Sequence, residues 1–114
     1  EWVRQNLVRY LIENKNYPAS LTRVEAGITL NRMPRSADVI VYSSEGKPLV
    51  IAECKAPSVK ITQPVFDQIA RYNIPLQVNY LVVTNGINHY CCRIEEEKNY
   101  TFLREVPEYP DLIV

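Results

Sequence analysis

Asp38, Glu53 and Lys55 are the residues of this chain whose types and spacing could carry out chemistry. Asp38 lies in Ser36-Ala-Asp-Val-Ile-Val-Tyr42 and Glu53-Cys-Lys55 closes Pro48-Leu-Val-Ile-Ala-Glu-Cys-Lys55, with polar Ser43-Ser-Glu-Gly-Lys47 between them. Both runs are rich in β-branched residues and read as two strands of a hairpin. Side chains alternate along a strand, so Glu53 and Lys55 point the same way, about 7 Å apart, and Asp38 on the neighbouring strand can meet them. Two carboxylates and an ammonium on one face are costly to desolvate unless they pair with each other or with a cation. Magnesium (Mg2+) prefers oxygen ligands in octahedral geometry and is usually held by one or two carboxylates plus substrate phosphates. Asp38 and Glu53 supply that pair, and the backbone carbonyl of Cys54 supplies a third oxygen. Lys55 places a compact positive charge where an attacking water or the developing charge on phosphorus would lie. The chemistry expected is metal-assisted hydrolysis of phosphodiesters, with Mn2+ able to replace Mg2+.

By itself, Glu-x-Lys on a strand is usually a solvated ion pair worth roughly 0 to 1 kcal/mol. Asp38 alone could be a strand-start residue bonding nearby amides. The continuous apolar run Val50-Ile51-Ala52 shifts the balance, because it reads as a strand covered on both faces, where terminal charges are expensive decoration.

The elements that must position these residues follow from periodicity. Val3, Leu7, Tyr10 and Leu11 mark a helix over 2–14 with one buried stripe, ended by Asn14 to Pro18. Leu21 to Leu30 alternates as a half-exposed strand, and Asn31 to Ser36 reads as a basic loop around Met33-Pro34. Thr62 can cap a helix over Pro64–Asn73 that ends before Pro75. Tyr80–Thr84, the pair Asn85-Gly86 and Ile87–Ile94 read as a hairpin with a type I′ turn. Asn99–Arg104 is an expected edge strand, and Pro107 and Pro110 an irregular exit. The fold class predicted is α/β, a central mixed β-sheet flanked by helices, with a parallel pairing in its middle because a crossover helix separates the two hairpins.

At 114 residues the chain has room for a single domain, residues 1–114, and its apolar end and missing initial methionine read as a piece of a longer protein. Thirteen basic and thirteen acidic residues cancel, so any contact with nucleic acid must come from a local patch, with Arg32, Arg35, Lys60 and Arg71 as candidates. Each of them could equally be an ordinary surface charge. Cys54, Cys91 and Cys92 have no metal-ligand spacing and no secretory signal before them, which suits reduced thiols in a cytoplasmic protein. His89 is the only histidine, and a partly exposed strand residue is its expected state. No apolar run approaches the roughly 18 residues of a membrane helix.

Asp38 followed by Glu53-Cys-Lys55 resembles the PD-(D/E)xK nuclease superfamily. Arg35-Ser-Ala-Asp38-Val-Ile-Val-Tyr, Leu49-Val-Ile-Ala-Glu-Cys-Lys-Ala-Pro-Ser58, Phe66-Asp-Gln-Ile-Ala-Arg-Tyr-Asn73 and Leu81-Val-Val-Thr-Asn-Gly86 together resemble the N-terminal nuclease domain of the type I restriction enzyme R subunit. The resemblance implies a restriction-endonuclease-like fold, magnesium held by Asp38 and Glu53, Lys55 as catalytic lysine, and cleavage of double-stranded DNA. Gln68 would help position the lysine, the water or the DNA backbone, and Tyr72 would contact DNA or pack. Glu1, or more weakly Glu13, would match a further acidic residue on the first helix; Ala37 stands where the superfamily's loosely kept proline would be. The implied partners are a motor domain in the same chain and the specificity and methylation subunits of a restriction complex. The rival reading is a catalytically inactive nuclease-like module that binds DNA or protein, and a weaker one is a structural domain with a surface ion-pair cluster.

Overall fold

The computed structural model describes residues 2–30, 33–73, 78–95 and 99–112, and within them not the side chains of 25–36, 72, 73 and 112. Helix α1 (Trp2–Lys15) is followed by a single 3-10 turn (Ala19–Leu21), then β1 (Thr22–Leu30), β2 (Met33–Tyr42), β3 (Pro48–Cys54), α2 (Gln63–Asn73), β4 (Tyr80–Thr84), β5 (His89–Ile94), β6 (Tyr100–Leu103) and α3 (Tyr109–Leu112). The strands form one sheet in the order β1-β2-β3-β4-β5-β6. Every neighbouring pair is antiparallel except β3 and β4, which are parallel in the middle of the sheet, as a helical crossover requires. This is the mixed α/β sheet with flanking helices that the pattern predicts.

The sheet is covered on both faces, which is why β3 and β4 are nearly continuous apolar runs. Val39, Val41, Val50, Ala52, Val82 and Cys91 pack with Leu7 and Leu11 of α1, while Ile40, Ile51, Leu81, Val83 and Cys92 pack with Phe66 and Ala70 of α2. The adjacent Cys91 and Cys92 therefore enter opposite layers. Burial pushes both thiols up to about 12, so they behave as packing groups. Thr62 caps α2 as expected: its carbonyl accepts the Phe66 N–H at 2.9 Å and its Oγ1 faces the Val65 N–H at 3.5 Å.

Three local expectations are corrected. Met33–Ser36 belongs to β2 instead of a loop, paired through Leu30↔Met33, Thr29↔Pro34 and Gly27↔Ser36. β3 pairs with β2 only from Val39 onward, so the first half of β2 is an edge next to β1, where a strand proline is tolerated. The turn after β4 is displaced by one residue from Asn85-Gly86. Gly86 has φ 89°, while Asn16 is the only non-glycine among the described residues with positive φ, so the type I′ arrangement does not form. Asn85 instead closes the turn through its side chain, Oδ1 accepting the Ile87 and Asn88 N–H groups at 2.9 and 2.8 Å, and β5 starts at His89. The exit is also structured. Pro110 lies inside α3, Val106 and Tyr109 are buried, the Tyr17 hydroxyl donates to the Pro107 carbonyl at 2.9 Å, and that of Tyr109 donates to the Tyr42 carbonyl at 3.0 Å.

Candidate functional site

The β2–β3 ladder stops at Val39↔Ala52, and the residues one step beyond that pair are Asp38 and Glu53. Here the Asp38 side chain takes the place of a backbone acceptor: the Cys54 N–H donates to Asp38 Oδ2 at 2.7 Å. A backbone donor bonded to a carboxylate is one of the stronger hydrogen bonds available, and it pins Asp38 while leaving Oδ1 as a second acceptor. On an extended strand a residue's N–H and C=O point to the same side, so the Cys54 carbonyl also faces the β2 edge where Asp38 lies. On the other side of β3 the Lys55 N–H donates to the Thr84 carbonyl at 2.7 Å, carrying the parallel ladder one residue past the Cys54↔Thr84 pair.

Strand alternation then assigns the faces. Ala52 and Cys54 pack in the α1 layer and Ile51 in the α2 layer, so Glu53 and Lys55 share the α2 side, and Asp38 is brought to the end of β3 by its bond to the Cys54 N–H. Their electrostatics show the same convergence. Burial and then the Asp38 carboxylate push the Glu53 carboxyl above its ordinary range, and the Lys55 ammonium pulls it back. Burial, Asp38 and Glu53 push the Cys54 thiol up to about 12, with Arg4 opposing, which removes Cys54 as a nucleophile.

The remaining candidates are less concentrated. Gln68 is exposed on α2, about 200° around the helix from the buried Phe66. Lys60 is exposed in the connection between Lys55 and α2, and Arg71 is exposed in the last turn of α2. Glu13 lies about 13 Å along α1 from Arg4 and pairs with Arg9 at 3.9 Å on the solvent side, so it stands away from the carboxylates. Glu1 and Arg32 lie outside the described residues, as do the side chains of Arg35 and Tyr72. Among the described residues no group of three or more His, Cys, Asp and Glu could hold a metal ion; the end of β3 brings together the two carboxylates of Asp38 and Glu53.

Reading the sequence alone missed three residues here. Arg4 on α1 bears on Cys54, yet nothing in the helical pattern distinguishes it from any surface arginine. Thr84 and Asn85 are buried polar residues at 0 and 4% exposure. The Thr84 hydroxyl accepts the Gly86 N–H at 3.0 Å and bonds His89 Nδ1 at 2.7 Å, and His89 stacks on Tyr10 with ring centroids 4.6 Å apart. That partner set explains the lone histidine as a partly buried structural residue whose pKa burial lowers.

No curated protein matches this chain. The sequence model of the type I restriction enzyme R protein N terminus matches residues 1–107, nearly the whole chain and every residue of the site just described, and the chain therefore belongs to that family.

Proposed function

We propose that this chain is a magnesium-dependent DNA endonuclease domain of the PD-(D/E)xK type, the cleavage module of a type I restriction R subunit. The observation that carries the reading is the convergence of Asp38, Glu53 and Lys55 at the end of β3, where Glu53 is held above its ordinary carboxylate range by burial and by Asp38. The residues fit a hard divalent ion. The Glu53 carboxylate, disfavoured by burial and by Asp38, would gain from a shared cation, and the Cys54 carbonyl would add an oxygen on the same side. Such an ion, when bound, polarises the phosphodiester and lowers the pKa of a coordinated water.

The protein's own groups do the rest. Asp38, oriented by the Cys54 N–H, and Glu53 would hold the ion; Lys55 would stabilise charge on the attacking or departing oxygen; Gln68, on the outward side of α2, would contact the DNA backbone. Lys60 and Arg71, with Arg32, Arg35 and Tyr72, contact the backbone of double-stranded DNA, so sequence choice falls to separate specificity and methylation subunits. Translocation falls to a motor domain in the same polypeptide.

The test is a titration of Mg2+ and Mn2+ followed at the two carboxylates, together with Lys55→Ala in the full-length protein. The variant keeps the fold and the metal affinity and loses roughly a hundred- to a thousand-fold in cleavage rate. Undiminished cleavage discards the mechanism. Retardation of DNA with no metal-dependent cutting by the unaltered protein assigns the chain to an inactive binding module instead.

A further inference from the structure

After Lys55 the chain leaves the sheet and runs through residues 56–62 to α2. This strap is fastened to the turn after β4 at two points. The Lys55 N–H donates to the Thr84 carbonyl at 2.7 Å, and Asn85 Nδ2 donates to the Val59 carbonyl at 2.8 Å. Between them the strap folds on itself, the Val59 N–H closing on the Ala56 carbonyl at 2.9 Å. The two anchors sit on consecutive residues, the Thr84 backbone carbonyl holding Lys55 and the Asn85 side chain holding Val59.

The chemistry of Asn85 matches this task more closely than that of a turn residue alone. Closing the turn uses only its acceptor, which bonds the Ile87 and Asn88 N–H groups, and an aspartate or serine could offer that. The donor to Val59 requires the amide nitrogen, and its product is to hold the segment that follows Lys55. Both ends of a side chain only 4% exposed are thus satisfied, and leaving either unbonded is costly. The Thr84–His89 bond braces the turn within the hairpin, and α1 packs on it through the Tyr10 ring stacked on His89 and the Trp2 ring, which lies 2.5 Å from where a Cβ on Gly86 would stand.

We propose that Asn85 is a positioning residue for Lys55, fixing the strap that follows the lysine against the end of β4. The role of the lysine rests on the nuclease reading above, whereas the clamp itself can be measured without cleavage. Asn85→Asp keeps the size and the turn acceptor and removes the donor; Asn85→Ser keeps an acceptor and is too short to reach Val59. The readouts are the backbone and side-chain NMR signals and amide exchange of Lys55 and Val59 in the metal-free chain, Mn2+ affinity, and single-turnover cleavage by the full-length protein. Both variants are expected to shift the Lys55 signals and speed Lys55 amide exchange by about tenfold or more. Mn2+ affinity should stay within about twofold while single-turnover cleavage at saturating DNA falls about 10- to 100-fold.

Unchanged Lys55 signals in either folded variant overturn the proposal, as does wild-type cleavage accompanying shifted signals. In the unsubstituted chain one Asn85 Nδ2 proton must exchange slowly, and rapid exchange there overturns the clamp even when neither variant folds. Lack of cleavage by the unsubstituted full-length protein, with the Lys55 response to Asn85→Asp intact, defeats the nuclease reading and leaves the clamp standing.

Discussion

Glu53 is the residue whose ionisation works against the metal-free fold. Its carboxyl is raised in the folded state, so the fold binds the proton more tightly than the unfolded chain does. By linkage, stability is then full below the ordinary carboxylate value and is lost as pH rises from that value through the raised one. Glu53→Gln removes the titration. It is expected to be more stable than the parent chain at neutral pH without metal, with the difference vanishing at acid pH, and urea unfolding at a series of pH values measures this. Asp38 has a structural partner: Asp38→Ala takes away the acceptor of the Cys54 N–H and should cost about 1.5 to 3 kcal/mol, read in the same unfolding assay. The two carboxylates thus separate experimentally, one anchored by the backbone and one held under electrostatic stress.

At the scale of elements, the site depends on how strand ends meet turns. β3 and β4 run parallel, so the ends that carry Glu53 and Thr84 lie side by side, and the turn over 85–88 sits next to the start of the strap. Gly86 is the most constrained position of that turn, with φ 89° and the Trp2 ring against it. An added methyl meets both a disfavoured backbone angle and an aromatic ring. Gly86→Ala should therefore destabilise by about 2 kcal/mol or more, and pairing it with Trp2→Ala should recover only the steric share, which a double-mutant cycle of thermal unfolding separates. Thr62→Ala, which removes the side-chain cap of α2, should cost about 1 kcal/mol without moving the carboxylates.

At the scale of the whole molecule, the metal proposed to bind between β2 and β3 would be coupled to global unfolding, because the pair of carboxylates exists only where two strands separated by a turn come together. Mass action gives about 2.7 kcal/mol of stabilisation at a hundredfold excess over the dissociation constant, or roughly 10 °C for a domain of this size. Scanning calorimetry with Mn2+ should show that shift in the parent chain and lose it in Glu53→Gln. The two-layer core supports this cooperativity, since Phe66 on one face and Leu7 and Leu11 on the other are essentially fully buried against the same sheet. No helix among the described residues is long and apolar enough to cross a membrane, in keeping with the absence of a long apolar run.

Much of this architecture was legible in the residue order. β-Branched runs flanking Ser43–Lys47 specify a hairpin, Thr62 before an apolar helical stripe specifies the start of α2, and a helix between two strand pairs specifies their parallel join, because each is a short-range consequence of periodicity and turn chemistry. The same alternation places Glu53 and Lys55 on one face, and a single register then brings Asp38 to them. What residue order left open depends on partners distant in the chain. Met33–Ser36 extends β2 because β1 offers a complete set of backbone partners, and 107–112 becomes ordered because Tyr17 and Tyr42 receive it. Asn85 closes its turn through its side chain and reaches Val59, 26 positions earlier. Local propensities weigh neighbouring residues only, whereas a buried donor or acceptor must find its partner wherever the folded chain presents one.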